Sequence, residues 1–262
     1  MKYIIIPTNS DLLHFGVSAK DGAPGRGSGR YPLGSGKRPL QGFKKNIKKS
    51  NGSISNKERP HTDYNISNWG KSKDTNILFV TGIAGSGKST IARNYAQKEN
   101  ADLINIDLYT FKTADKYLKD MSKSFNKYLD KKVPNWKDMQ REAYEVLTKT
   151  DRRSKKPAGK WFDTFESALL GYGEEMYGKK KIVAEGVQLL DETLFYNNKK
   201  ALKDKPLIVM DTSVIDSILS RSYRDNKSID KLLEPDRLNQ LTGWMKDKKK
   251  LYDVLNMKIP NA

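Results

Sequence analysis

Apolar residues in this chain follow two periods. Short apolar runs occur at Asn76-Ile-Leu-Phe-Val-Thr81, Ala101-Asp-Leu-Ile-Asn-Ile-Asp107, Lys181-Ile-Val-Ala-Glu-Gly-Val-Gln-Leu-Leu190 and Pro206-Leu-Ile-Val-Met-Asp211. Their length and β-branched content predict buried strands. Between them the apolar positions recur every three or four residues. Residues 113–130 place Ala114, Tyr117, Leu118, Met121, Phe125, Tyr128 and Leu129 on one helical face. Trp136, Met139, Ala143, Val146 and Leu147 repeat the pattern over 136–149, and Phe165, Ala168, Leu169 and Met176 over 163–177. Thr90–Lys98 holds good helix formers without Gly or Pro. Asp151–Lys160, with Pro157 and Gly159, reads as a basic break. A helix over 212–223, a charged stretch to about Asp236 and a last helix to about Leu255 close the chain. Strands alternating with helices predict an α/β fold with a mainly parallel sheet. Ligands of such sheets bind beyond the carboxyl ends of the strands, where Gly82, Asp107, Glu185 and Asp211 fall.

The first 73 residues lack this order. Between Ser18 and Gly52 Gly, Ser, Pro, Lys and Arg dominate, and Gly27-Ser-Gly-Arg30 is echoed by Gly34-Ser-Gly-Lys37. Residues 1–70 carry twelve Lys/Arg against four acids. This predicts a basic, largely flexible N-terminal segment over 1–73 and an ordered domain over 74–262. Within the segment, Tyr3–Ile6 suits an edge strand and Leu12–Phe15 a docking anchor.

The whole chain of 262 residues has 36% hydrophobic and 31% charged residues and a net charge of +18. That balance favours polyanionic partners, nucleic acid included, or else reflects only a solvated lysine-rich surface. There is no cysteine, which excludes disulfides and Cys-based zinc sites, and the two histidines, His14 and His61, stand far apart. No apolar run approaches the ~18 residues of a membrane span. Tyr3–Ile6 is shorter than the ~7–15 apolar residues of a signal-peptide core. The expectation is a soluble, cytoplasmic protein.

The chemistry concentrates at Gly82-Ile-Ala-Gly-Ser-Gly-Lys-Ser-Thr90, which fits the phosphate-binding pattern G-x-x-x-x-G-K-[ST] at Gly82, Gly87, Lys88 and Ser89. A predicted strand precedes it and a predicted helix follows. In that context Gly82, Gly85, Ser86, Gly87, Lys88, Ser89 and Thr90 would cradle a nucleoside triphosphate at the positive end of a helix. Lys88 would reach the β/γ-phosphates, and the Ser89 hydroxyl would bind Mg²⁺. The other Gly-Ser-Gly-Lys, at 34–37, has Tyr31 in place of the first glycine, Arg38 in place of Ser/Thr, and Pro39 after it. It reads as loop.

Four further residues are candidates. Asp107, at the end of the second strand, can accept the proton of a substrate hydroxyl; otherwise it caps the next helix or pairs with a lysine. Glu185, at the end of the third, can hold the Mg²⁺ shell or bond loop amides. Arg221 and Arg224, three apart on one helical face, can close as a lid over about 220–236 and clamp a transferring phosphoryl group, or simply be solvated. Tyr109 and Phe111 read as core sooner than as a stacking platform, and Trp136, Trp161 and Trp244 as core or interface. The basic cluster Arg152, Arg153, Lys155 and Lys156 reads as solvated loop.

Gly82–Thr90, Asn105-Ile-Asp107, Val183-Ala-Glu-Gly-Val-Gln188 and Arg221-Ser-Tyr-Arg224 together resemble the small-molecule P-loop kinases: nucleoside and nucleotide kinases, polynucleotide 5′-kinases and zeta-toxin kinases. Val183–Gln188 is similar to the Val-Glu-Gly strand of uridine-kinase-like proteins. The resemblance spans about 76–225. It implies a P-loop NTPase fold with a sheet of about five strands, and ATP and Mg²⁺ as cosubstrates. Two features depart from it. The region 112–178 is long and helical, which would make it an acceptor-binding insert. Asp107 is followed by Leu-Tyr-Thr where zeta toxins and polynucleotide kinases carry Asp/Glu-Xaa-Arg. Separately, Leu13-His-Phe-Gly-Val17 and Lys20–Gly36 resemble a leader of phage and prophage virion-associated proteins, which implies a location in a host cytoplasm or a virion. The expected activity is ATP- and Mg²⁺-dependent phosphorylation of a hydroxyl on a small nucleotide-like or sugar metabolite. The alternative is a nucleotide-binding virion or nucleic-acid-associated protein docked through its basic N-terminal segment.

Overall fold

Five short strands form one sheet, in the order β1-β5-β2-β4-β3. The strands are β1 (His61–Tyr64), β2 (Ile77–Thr81), β3 (Asp102–Asn105), β4 (Ile182–Glu185) and β5 (Leu207–Met210). β1 runs antiparallel to β5, and every other pairing is parallel. The structure is a computed structural model and describes residues 60–149, 160–190, 202–225 and 228–257. All of these fall within one unit of the chain, 58–262. The leader, Tyr3–Ile6, Leu12–Phe15, the second Gly-Ser-Gly-Lys and the Arg152–Lys156 cluster lie outside the described residues.

β2, β4 and β5 are buried on both faces, which is why they read as apolar runs, whereas β1 and β3 at the edges are only partly buried. Alternation still sorts them. Leu78, Val80, Val183, Ile208 and Met210 face one way and pack with Ile91, Ala92 and Ala96 of helix α1 (Lys88–Lys98) and with Trp69. Ile77, Phe79, Ile104, Ile182, Ala184, Leu207 and Val209 face the other way, into a larger core. That core takes in α2 (Ile106–Thr110), α4 (Lys123–Lys132), α5 (Trp136–Lys149), α6 (Lys160–Met176), α7 (Val214–Asp225) and α9 (Pro235–Leu255). Two single-turn helices, α3 (Ala114–Tyr117) and α8 (Ile229–Leu232), complete the described set.

Three boundaries differ from the sequence expectation. β1 lies upstream of Asp74, so the sheet takes in residues first assigned to the N-terminal segment; its pairing with β5, His61 opposite Met210, supplies what a four-residue strand lacks alone. The single helix expected over 113–130 is broken into α3, a 3₁₀ turn at Leu118–Asp120, and α4. Ser122 starts α4 afresh by accepting the Phe125 N–H, and its own hydroxyl donates to Asp102. Asp102 also accepts from Ser124 and Tyr172, so one carboxylate ties β3 to α4 and α6. Lastly, β3 ends at Asn105 and α2 begins at once, so Asp107 stands in a helical first turn and not at a strand end.

The helical region between β3 and β4 is organised by aromatic rings. Tyr109 stacks on Phe165 at 5.3 Å and meets Phe125 edge-on at 5.3 Å; Trp136 stacks on Trp161 at 6.1 Å. Their polar atoms are satisfied. Tyr109 donates to Asn126, Trp161 to the Tyr109 carbonyl and Trp136 to Asp130. The core reading of Tyr109, Trp136, Trp161 and Trp244 therefore holds, since all four are buried.

Candidate functional site

The strand order reverses at β2, with β4 on one side and β5 on the other. A crevice opens beyond the carboxyl end of a strand at such a point. The chain leaves β2 at Thr81 and enters α1 at Lys88 through Gly82–Gly87. Gly85 and Gly87 hold φ of +87° and +94°, values a side chain resists. A Cβ at Gly85 would also lie 2.7 Å from the Ser217 carbonyl and 2.8 Å from Arg221 Cγ. The turn is fixed from outside. Ser217 of α7 donates to the Ala84 carbonyl, and Thr212 donates to the Ser86 carbonyl at 3.1 Å.

α1 begins with Gly87 as its N-cap, with no side-chain cap and no acid in its first turn. Lys88, its first residue, is buried at 7% exposure. The Ser89 hydroxyl donates to Glu185 Oε1 at 3.0 Å. Glu185 is 2% exposed, and its Oε2 has no hydrogen-bond partner among the described residues. Burial pushes its carboxyl above the ordinary value, and the Asp107 charge pushes the same way; Lys88, Ser89 and Arg93 pull it back. The Lys88 ammonium, the Arg93 guanidinium and two carboxylates thus share one electrostatic environment.

Most of the residues singled out from sequence meet here. Gly82, Gly85, Ser86, Gly87 and Lys88 form the turn and helix start. Ser89 and Glu185 touch. Asp107 reaches the same place from α2, where its Oδ1 accepts the Val187 N–H at 3.3 Å. Arg221 is buried, and its stem lies against Gly85. Thr90 differs: it is exposed, and its N–H serves the Gly87 carbonyl. Arg224 follows Arg221 on α7, with its side chain outside the described residues. Of the lid expected over about 220–236, residues 226 and 227 are likewise outside them.

Asp211 does not join the cluster. It accepts from Thr62 at 2.6 Å and from Tyr252, and Lys248 stands 3.9 Å away. The carboxylate fastens β5 to β1 and α9. Burial raises the Tyr252 phenol and depresses the Lys248 ammonium from their usual values.

Sequence reasoning passed over four contributors. Arg93 stands one helical turn beyond Ser89 and donates to the Ser89 carbonyl. Ser217 and Thr212 fasten the turn. Gln188 is fully buried just after β4. Its signal was a lone amide inside Val187-Gln-Leu-Leu190; the small polar residues gave none, because their role depends on which loop packs beside them.

Fold and site together define an α/β protein with a five-stranded, mostly parallel sheet and a basic, glycine-bounded helix start at its switch point. Residues 61–192 match the family model described as nephrocystin 3, N-terminal. The match takes in just over half of the chain, and the protein belongs to that family. It is not a kinase family. The matched span contains the Gly82–Ser89 turn, Asp107 and Glu185 and stops short of Arg221. No curated protein matches the chain. Among the described residues, no helix is long and apolar enough to cross a membrane.

Proposed function

We propose that Gly82–Ser89 is a phosphate-binding loop and that the protein transfers the γ-phosphoryl group of ATP, with Mg²⁺, to a hydroxyl on a small nucleotide-like or sugar metabolite. One observation carries the reading. The last residue of the motif, Ser89, is hydrogen-bonded to the acid that ends the neighbouring strand, Glu185, beside a buried lysine. A hydroxyl and a carboxylate are oxygen donors suited to a hard cation that keeps water and phosphate as its other ligands. The unpartnered Glu185 Oε2 fits the same use. Among the described residues, no three of His, Cys, Asp and Glu gather into a cage made by protein alone. Bound there, Mg²⁺ would neutralise charge on the β- and γ-phosphates.

The chain's own groups divide the remaining work. Lys88 and the backbone of 85–89 hold the triphosphate, helped by the positive end of α1. Asp107 takes the proton of the attacking hydroxyl. Arg221, already seated on Gly85, and Arg224 stabilise the phosphoryl group in flight. The helices of 112–178 shape the acceptor side.

Membership of a family outside the kinases favours a second reading, in which the same loop is a nucleotide-binding switch and the basic N-terminal segment docks on a nucleic acid or a virion. Incubation with γ-labelled ATP, Mg²⁺ and a metabolite extract, resolved by mass spectrometry, separates the two. A phosphorylated product that disappears in Lys88→Ala supports the kinase and names its acceptor. ATP binding with no Lys88-dependent product, small and nucleic-acid acceptors both supplied, supports the switch.

A further inference from the structure

Four buried side-chain polar atoms on or just after β3 and β4 have no hydrogen-bond partner among the described residues: Asn105 Oδ1, Glu185 Oε2, and Oε1 and Nε2 of Gln188. Asn105 and Glu185 are register partners on β3 and β4, and Gln188 follows within the 3₁₀ turn Val187–Leu189. An amide with no exposure and neither group paired is destabilising, and folded proteins retain one where water or a ligand completes it. The mechanism above gives Gln188 no task.

Its surroundings supply one. A Cβ built on Gly186 would lie 2.4 Å from Gln188 Oε1 and 3.1 Å from Asp107 Oδ1. The two oxygens are therefore no more than about 5.5 Å apart, within the reach of one bridging water. Both are acceptors, and a water has two protons to donate. Glycine at 186 keeps the gap open: its φ of 176° is ordinary extended backbone, so only the close approach excludes a side chain. Asp107 Oδ1 is held on another side by the Val187 N–H.

We propose that Gln188 is a positioning residue for Asp107. A water donates one proton to Gln188 Oε1 and the other to Asp107 Oδ1, and so turns the second carboxylate oxygen toward the crevice. The inference rests on the phosphoryl-transfer reading. In that transfer the nucleophile's oxygen bonds to the γ-phosphorus and its proton passes to Asp107. The bond from the γ-phosphorus to the bridging oxygen breaks, and its electron pair leaves with ADP. Gln188 touches neither the nucleophile nor ATP; it fixes the angle at which the base meets the O–H.

Gln188→Leu in the full-length chain is the test, with Gln188→Met as the second variant should the first not fold. Nε2 stays unpaired even with the water bound, so loss of the amide should leave the thermal midpoint close to that of the wild type. The Kd for MgADP and the KM for ATP should stay as in the wild type. Turnover of ATP should fall by about 10²-fold, the scale of a base held off line. The extra thermal shift that aluminium fluoride adds to MgADP, as a mimic of the phosphoryl group in flight, should be lost. Wild-type turnover and an intact fluoride shift in either folded variant would overturn the role of Gln188 and leave the kinase reading standing. A wild-type protein that forms no Lys88-dependent product from ATP, whether or not it binds MgADP, would overturn that reading, and this inference with it.

Discussion

Asp107 and Glu185 are neighbouring carboxylates by the start of α1, yet their surroundings differ. Asp107 is partly exposed and accepts a backbone N–H; Glu185 is sealed and bonded to a serine hydroxyl. A partly exposed acid can exchange a proton with a ligand, whereas a sealed one answers to fixed neighbours. Asp107→Asn is expected to bind MgATP as the wild type does and to lose turnover by about 10²–10⁴-fold; retained turnover would remove the base assignment. Glu185 makes its mark on stability. Burial raises its carboxyl above the ordinary 4.5, so the folded chain holds that proton more tightly than the unfolded one. The contribution is fully present below about pH 4.5 and is lost as pH rises through the raised value. Glu185→Gln is expected to remove this loss, so its thermal midpoint should gain on the wild type as pH climbs from about 4.5 toward neutrality. A constant difference across that range would show that Glu185 titrates unperturbed.

The turn between β2 and α1 depends on α7 as much as on its own glycines. Gly85 has a positive φ and is closed in by the Ser217 carbonyl and the Arg221 stem, while Ser217 and Thr212 hold the turn's carbonyls. Gly85→Ala should cost about 1–3 kcal/mol, read from denaturant unfolding. It should also displace Arg221 and so weaken nucleotide binding more than stability alone explains. The glycine pattern announced the turn, because few residues tolerate those dihedrals. The Ser89–Glu185 contact could be anticipated, since the sequence placed Glu185 at a strand end and Ser89 at a helix start. The placement of Asp107 in a helix was not legible: strand and helix share the run Leu103-Ile-Asn-Ile-Asp107, and the switch after Asn105 depends on what α2 packs against.

Across the molecule, the face of the sheet opposite α1 holds most of the burial. Trp161 stacks on Trp136 and donates to the Tyr109 carbonyl, so Trp161→Ala removes both packing and a buried hydrogen bond. A loss of about 3–5 kcal/mol is expected, a large part of the roughly 5–15 kcal/mol that a folded domain has. Tyr252→Phe tests the other end. It removes the Tyr252 hydrogen bonds to Asp211 and Thr62, leaving Lys248 beside Asp211, and should cost about 1–2 kcal/mol without touching the Ser89–Glu185 pair; an equal loss of the proposed nucleotide binding would show that α9 supports the site. By itself the sequence determined the α/β class, the parallel core strands, and the meeting of Gly82–Ser89 with Glu185. Those follow from local apolar period, from glycine dihedrals, and from the rule that parallel strands end on a common edge. Only the tertiary structure decided that His61–Tyr64 completes the sheet, that Asp211 binds α9 and not the Ser89–Glu185 cluster, and that Gln188 is buried close to Gly186 and Asp107. Each depends on which distant segment lies alongside, and a hydrogen bond across 149 residues, as from Thr62 to Asp211, leaves no local periodicity to read.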